Sequence, residues 1–148
     1  MKKTNNKGFS LVELIIVIAI MAVLIGVLAP QFIKYVERSR KSTDVQNASE
    51  ICTVLTTYAS DPMVAAADAL SNGATVTLST SADPVCTGNA DKALTDGGVS
   101  KVKLKSSKWG DGSASSVKIT VAIASNGAVT FTADTDGKEN DILKGTYK

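Results

Sequence analysis

The chain has 148 residues and a mass of 15.3 kDa, with 44% hydrophobic residues, 20% charged residues and a net charge of +2. This is too apolar for intrinsic disorder, too short for two full domains and too weakly charged to indicate a nucleic-acid partner. Histidine is absent and there are two cysteines, which excludes His-based catalysis and ordinary zinc sites; the sequence offers no catalytic residue, metal ligand set or cofactor motif.

The first forty residues differ from the rest. Residues 2–7 are polar and basic, whereas Leu14 to Ala29 read LIIVIAIMAVLIGVLA without a polar side chain. Between Phe9 and Ala29 only Ser10 and Glu13 are polar. As a helix that stretch is about 31 Å long, enough to cross a bilayer core. A core helix of a soluble protein keeps one wet face, and this segment has none. Lys2, Lys3 and Lys7 favour a cytoplasmic N-terminus, while the charges of residues 37–44 on the far side are mixed in sign.

Glu13 is the exception inside this segment. Inserting a carboxylate there costs about 2–3 kcal/mol, so it should have a partner. No Lys or Arg lies between Phe9 and Gln31. Interfacial solvent, another protein, or the free amino terminus of a staggered like chain remain, and snorkelling to the headgroups is the plain structural alternative.

The run Lys7-Gly8-Phe9-Ser10-Leu11-Val12-Glu13-Leu14, followed by an apolar stretch to Pro30, resembles the class III signal of type IV pilins and pseudopilins. Ser10 stands where many members carry Thr. The resemblance implies that residues 1–8 are a leader, that a prepilin peptidase cuts after Gly8 and N-methylates Phe9, and that Glu13 neutralises the new amine of a neighbouring subunit during assembly. It further implies identical subunits and the pilus assembly machinery as partners. The chain would sit in the cytoplasmic membrane, N-terminus inside, and end in an extracellular pilus as its major subunit. A pseudopilin of a type II secretion or competence system, or a membrane-anchored binding module, is the alternative. A secretory signal would also start basic and apolar, with Val27-Leu28-Ala29 as its cleavage site, but Pro30 would follow the cut and Glu13 would go unexplained.

Pro30 lacks a backbone N–H and crowds the Gly26 carbonyl, and Gly26 itself costs about 1 kcal/mol of helix stability against alanine. A kink or melted turn is predicted between Gly26 and Pro30; the resemblance implies that this segment loosens in the filament. Phe32, Val36, Val45, Ala48, Cys52, Leu55 and Ala59 then recur mostly at spacings of three and four, with Ile51 and Tyr58 alongside. Residues 37–44 interrupt the stripe as exposed helix. One helix is predicted from Phe9 to Ser60, with residues 9–30 as its membrane or filament-core segment and 31–60 as its amphipathic half, ending before Asp61-Pro62.

Residues 61–148 are expected to form a small α+β head, a few antiparallel strands covered by the Val45, Ala48, Cys52 and Leu55 face. A short helix at Met63–Leu70, a strand at Thr75–Ser79 and a helical turn at Ala90–Leu94 are predicted in order. Ser100–Lys105 alternates, with Val102 and Leu104 on one face. Val117, Ile119, Val121 and Ile123 form the next strand, Asn126-Gly127 a two-residue hairpin, and Val129, Phe131 and Ala133 the return. Residues 142–147 supply an edge strand or a closing tail.

Three features remain open. Cys52 and Cys86 are either a disulfide, if the head is extracellular, or two thiols. Residues 134–141 crowd oxygen ligands around Gly137, as calcium loops do, but read better as an acidic solvated turn. Lys101, Lys103, Lys105 and Lys108 read as an exposed strand face, with Trp109 as a packing anchor or turn plug.

Overall fold

The computed structural model describes residues 8–109, 115–135, 138–139 and 141–144, and divides between Val36 and Glu37 into two compact units. Helix α1 is assigned continuously from Leu11 to Ser60, close to the expected span. It passes through Gly26 and Pro30 without a break, so the expected melted turn is not present in the single chain. The uninterrupted backbone bonds of a fifty-residue helix on either side outweigh one missing hydrogen bond.

In the second unit a five-stranded antiparallel sheet has the order β2-β1-β3-β4-β5. Its strands are β1 (Thr75–Ser79), β2 (Val85–Cys86), β3 (Ser116–Ile123), β4 (Val129–Thr135) and β5 (Lys138–Glu139). Alternation decides the face: Val76 and Leu78 of β1 and Val117, Ile119 and Val121 of β3 are buried. The register sets Val76 opposite Ile119 and Leu78 opposite Val117, so the apolar pairs stack across strands. Ala48, Ile51 and Leu55 of α1 complete this core, giving the expected α+β architecture. The helix face is turned by one residue from expectation. Ile51 is fully buried, while Val45 and Cys52 lie half-buried beside it.

The β3–β4 hairpin departs from a two-residue turn. Ala124 and Ala128 still pair, through the Ala124 N–H and the Ala128 carbonyl at 2.9 Å, and the Gly127 N–H donates to the Ala124 carbonyl at 2.9 Å. The loop is therefore Ser125–Gly127, with Gly127 alone at positive φ (82°). Asn126 instead accepts the Ala128 N–H through its side chain at 3.0 Å. This is the three-residue solution, in which glycine takes the left-handed place.

Two expected elements are absent, and a third takes one of its two expected forms. Residues 63–70 form turns and no helix, since Asp61 accepts the Met63 N–H with its side chain (2.8 Å) and Asp68 closes a tight turn onto the Ala65 carbonyl (2.8 Å). A segment this short gains too little to nucleate a helix against such local bonds. Ser100–Lys105 is not a strand, for the reason given below. Residues 141–144 are a short 3₁₀ helix that buries Ile142, which fits a closing tail and not an edge strand; the edge is β5. The Ala90–Leu94 turn is present as helix α2, Ala90–Asp96.

Candidate functional site

The N-terminal segment begins without regular structure. Gly8, Phe9 and Ser10 precede α1, Phe9 is 95% exposed, and the space around Gly8 is open. A peptide bond placed so can enter a protease cleft. Ser10 is then the helix cap. Its hydroxyl accepts the Val12 N–H at 3.3 Å, and the Glu13 carboxylate reaches back to accept the Ser10 N–H at 2.9 Å. Two orphan amides of the first turn are thus satisfied reciprocally. Glu13 therefore has a partner within its own chain, a capping box that the Ser-x-x-Glu spacing of residues 10–13 could have revealed.

From Gly8 to Tyr35 every residue is exposed. Ile18 and Leu28 are 56% and 61% exposed, as free as their helical neighbours allow. The helix is long and apolar enough over this stretch to cross a membrane. Water is a poor solvent for it, and a bilayer or other copies of the helix are the surroundings it suits.

The second constellation was misread in the sequence. Asp44, expected on exposed helix, is fully buried. Its carboxylate accepts the Lys105 N–H (2.6 Å), the Ser106 N–H (2.9 Å) and the Trp109 indole N–H (3.0 Å). Beside it the Ser106 hydroxyl donates to Glu37, and the Lys41 ammonium lies 5.4 Å from the centre of the Trp109 ring. Of the amides in the expected strand Ser100–Lys105, that of Lys105 goes to this carboxylate, that of Val102 donates to the Val99 carbonyl at 3.4 Å in a turn, and that of Leu104 donates to the Ser79 carbonyl at 3.0 Å. Asp44 falls in phase with Ala48, Ile51 and Leu55, which was the available signal. Trp109 is the packing anchor anticipated; residues 110–112, which follow it, lie outside the described residues.

Cys52 and Cys86 are free thiols, and no disulfide joins them. Burial pushes the Cys52 thiol up to about 11 and also raises Cys86, with the Asp91 charge adding to the latter. Of the 134–141 segment, Asp136, Gly137 and Asn140 lie outside the described residues. Among the described residues no three metal-type ligands cluster. Lys103 pairs with Asp83 at 3.1 Å, and the four lysines do not share a strand face.

Residues 3–29 match the family model of the prokaryotic N-terminal methylation motif. Over 57 residues the chain is 38% identical to the type IV major pilin protein PilA of Myxococcus xanthus, covering 38% of this chain and 26% of that protein. The N-terminal segment carries the prokaryotic N-terminal methylation motif and is similar there to type IV pilins. A type IV major fimbrial protein, FimA of Dichelobacter nodosus, shares 36% identity over 59 residues, covering 40% of this chain and 38% of the other. The prepilin peptidase-dependent protein A of Clostridium perfringens shares 40% over 75 residues, half of this chain and 49% of its own length. The chain thus spans about a quarter to a half of the curated relatives it matches. No solved structure matches it. The matched motif and the capping box of Ser10 and Glu13 fall in the same segment, directly after Gly8 and Phe9.

Proposed function

We propose that this chain is a structural, non-catalytic pilin subunit, cut after Gly8, N-methylated on Phe9 and polymerised with copies of itself through α1 into an extracellular type IV pilus. The supporting observation is a helix whose residues 11–30 are exposed and, Glu13 apart, apolar on all sides. Before assembly the cytoplasmic membrane takes up this surface, with the basic leader on the cytoplasmic side. After assembly neighbouring helices take it up. Glu13 then exchanges its own Ser10 amide for the charged amine of a neighbour's Phe9, a stronger, charge-assisted bond. Gly26 and Pro30 mark the place where α1 can open once neighbours satisfy the loosened carbonyls. Prepilin peptidase and the pilus assembly machinery are the partners this route requires.

The test has two arms. Mass spectrometry of the mature chain is expected to find N-methylated Phe9 as its first residue; a start at Met1 or Pro30 refutes the processing. Glu13→Ala is expected to be cut normally yet to give few or no filaments in sheared surface fractions. Filaments at the wild-type level in that variant would remove the role given to Glu13.

A further inference from the structure

A cleft of about 260 Å³ opens in the second unit between the last turns of α1, the turn that follows and the end of α2. Val54, Tyr58, Val64 and Ala93 line it, and Asp61 and Asp96 add two carboxylates. A Cβ at Gly97 would lie 2.4 Å from Val54, so the chain closes tightly on the helix there. The volume is below the roughly 300 Å³ at which small-molecule sites begin. Apolar walls with acidic groups suit one long side chain that has a methylene stem and a cationic tip.

The surroundings strengthen the sign. Among the described residues Asp61, Asp68, Asp91 and Asp96 stand around the cleft against Lys92, which is held by Asp68. Tyr58 registers this field: its hydroxyl is raised above the usual tyrosine range by burial, then by the charges of Asp68 and Asp96. The opposite charge gathers around Asp44. Arg38, Arg40, Lys105 and Lys108 are exposed there, against Glu37 and the buried Asp44 itself. Lys105 is fixed in place because its own amide bonds Asp44. From Asp44 the helix rises about 25 Å to Asp61 and about 15 Å to Val54, against which Gly97 beside Asp96 packs, so the two patches stand apart along the helix.

We propose that the cleft at Asp61 and Asp96 is a docking site for a second copy of this chain, receiving a basic side chain from that copy's patch of Arg38, Lys105 and Lys108. Donor and acceptor surfaces differ, so the contact is head-to-tail, the kind that continues as an open filament when its rotation closes no ring. It deepens the pilin reading and rests on it for the setting in which copies meet. Charge complementarity sets the register and excludes like-to-like pairing of either patch.

The test uses the full chain in cells that assemble it. Three variants are compared with wild type: Asp61→Lys with Asp96→Lys; Arg38→Glu with Lys105→Glu and Lys108→Glu; and all five changes together. Each reversal alone is expected to lower sheared filament yield about tenfold or more, and the combination to recover most of it, with Trp109 fluorescence confirming a folded head throughout. Carbodiimide treatment of wild-type membranes and filaments, followed by peptide mapping, is expected to join Asp61 or Asp96 to Lys105 or Lys108. Recovery of that peptide pair from covalent dimers on a denaturing gel, and not from the monomer band, identifies the bond as intermolecular. Filaments indifferent to the reversals, no recovery in the combined variant, or bonds mapping elsewhere would overturn the docking site while leaving the pilin reading intact. The mapped bond in membranes of a chain that never forms filaments would sustain the docking site and overturn the pilin reading.

Discussion

Within α1 the turns from Leu14 to Leu28 and those from Asp44 to Leu55 share one backbone geometry but have different surroundings. The first present apolar side chains on every side and bury none; the second bury one stripe, Asp44, Ala48, Ile51 and Leu55, under a sheet. Helical structure alone therefore settles nothing about stability. The lower turns depend on a medium the chain does not carry, and the upper turns have theirs built in.

Breaking the upper region should have the largest effect. Asp44→Ala strands two backbone amides and an indole N–H in the interior, and is expected to cost about 4 kcal/mol or more. Urea unfolding of the detergent-solubilised full chain, followed by fluorescence of the single tryptophan, reads this directly. Ile51→Ala should cost about 3 kcal/mol by leaving a cavity. Ile18→Ala, the same kind of deletion in the lower turns, should leave that unfolding curve unmoved within about 0.5 kcal/mol; an equal loss in both would erase the contrast. Ser10→Ala removes the hydroxyl cap, worth about 1 kcal/mol locally, and should speed amide exchange at Val12 without touching the head.

The smallest effect is a pH dependence. Burial lifts the Cys52 thiol from 9.0 to about 11, so the folded chain holds this proton more tightly than the unfolded one. The stability it contributes is complete below pH 9 and is lost as pH rises through about 11. Cys52→Ala should flatten that alkaline decline; an unchanged slope would mean that the thiol is not the group responsible.

Legibility followed the same division. The lower turns could be read because nothing in them competes with the hydrophobic run, and β1, β3 and β4 because alternation at Val76, Leu78, Val117, Ile119 and Val121 coincides with burial. The errors arose where a side chain took over a backbone's bonds. Ser100–Lys105 alternates like a strand, yet Asp44, distant in sequence, claims the Lys105 amide at its end and the Ser106 amide after it. Asp61 does the same to the expected helix at Met63. At Glu13 the lone carboxylate was evident, but the cap it completes depends on Ser10, three residues earlier, and the two have to be read together.

The sheet's margins have a consequence of their own. β2 and β5 are two residues long. Unpaired strand borders invite like borders to zip together, the usual route to amyloid, and borders this brief give an incoming strand almost no template. Under the pilin reading proposed above, a chain crowded against its twins joins them by its helix and remains inert along its sheet.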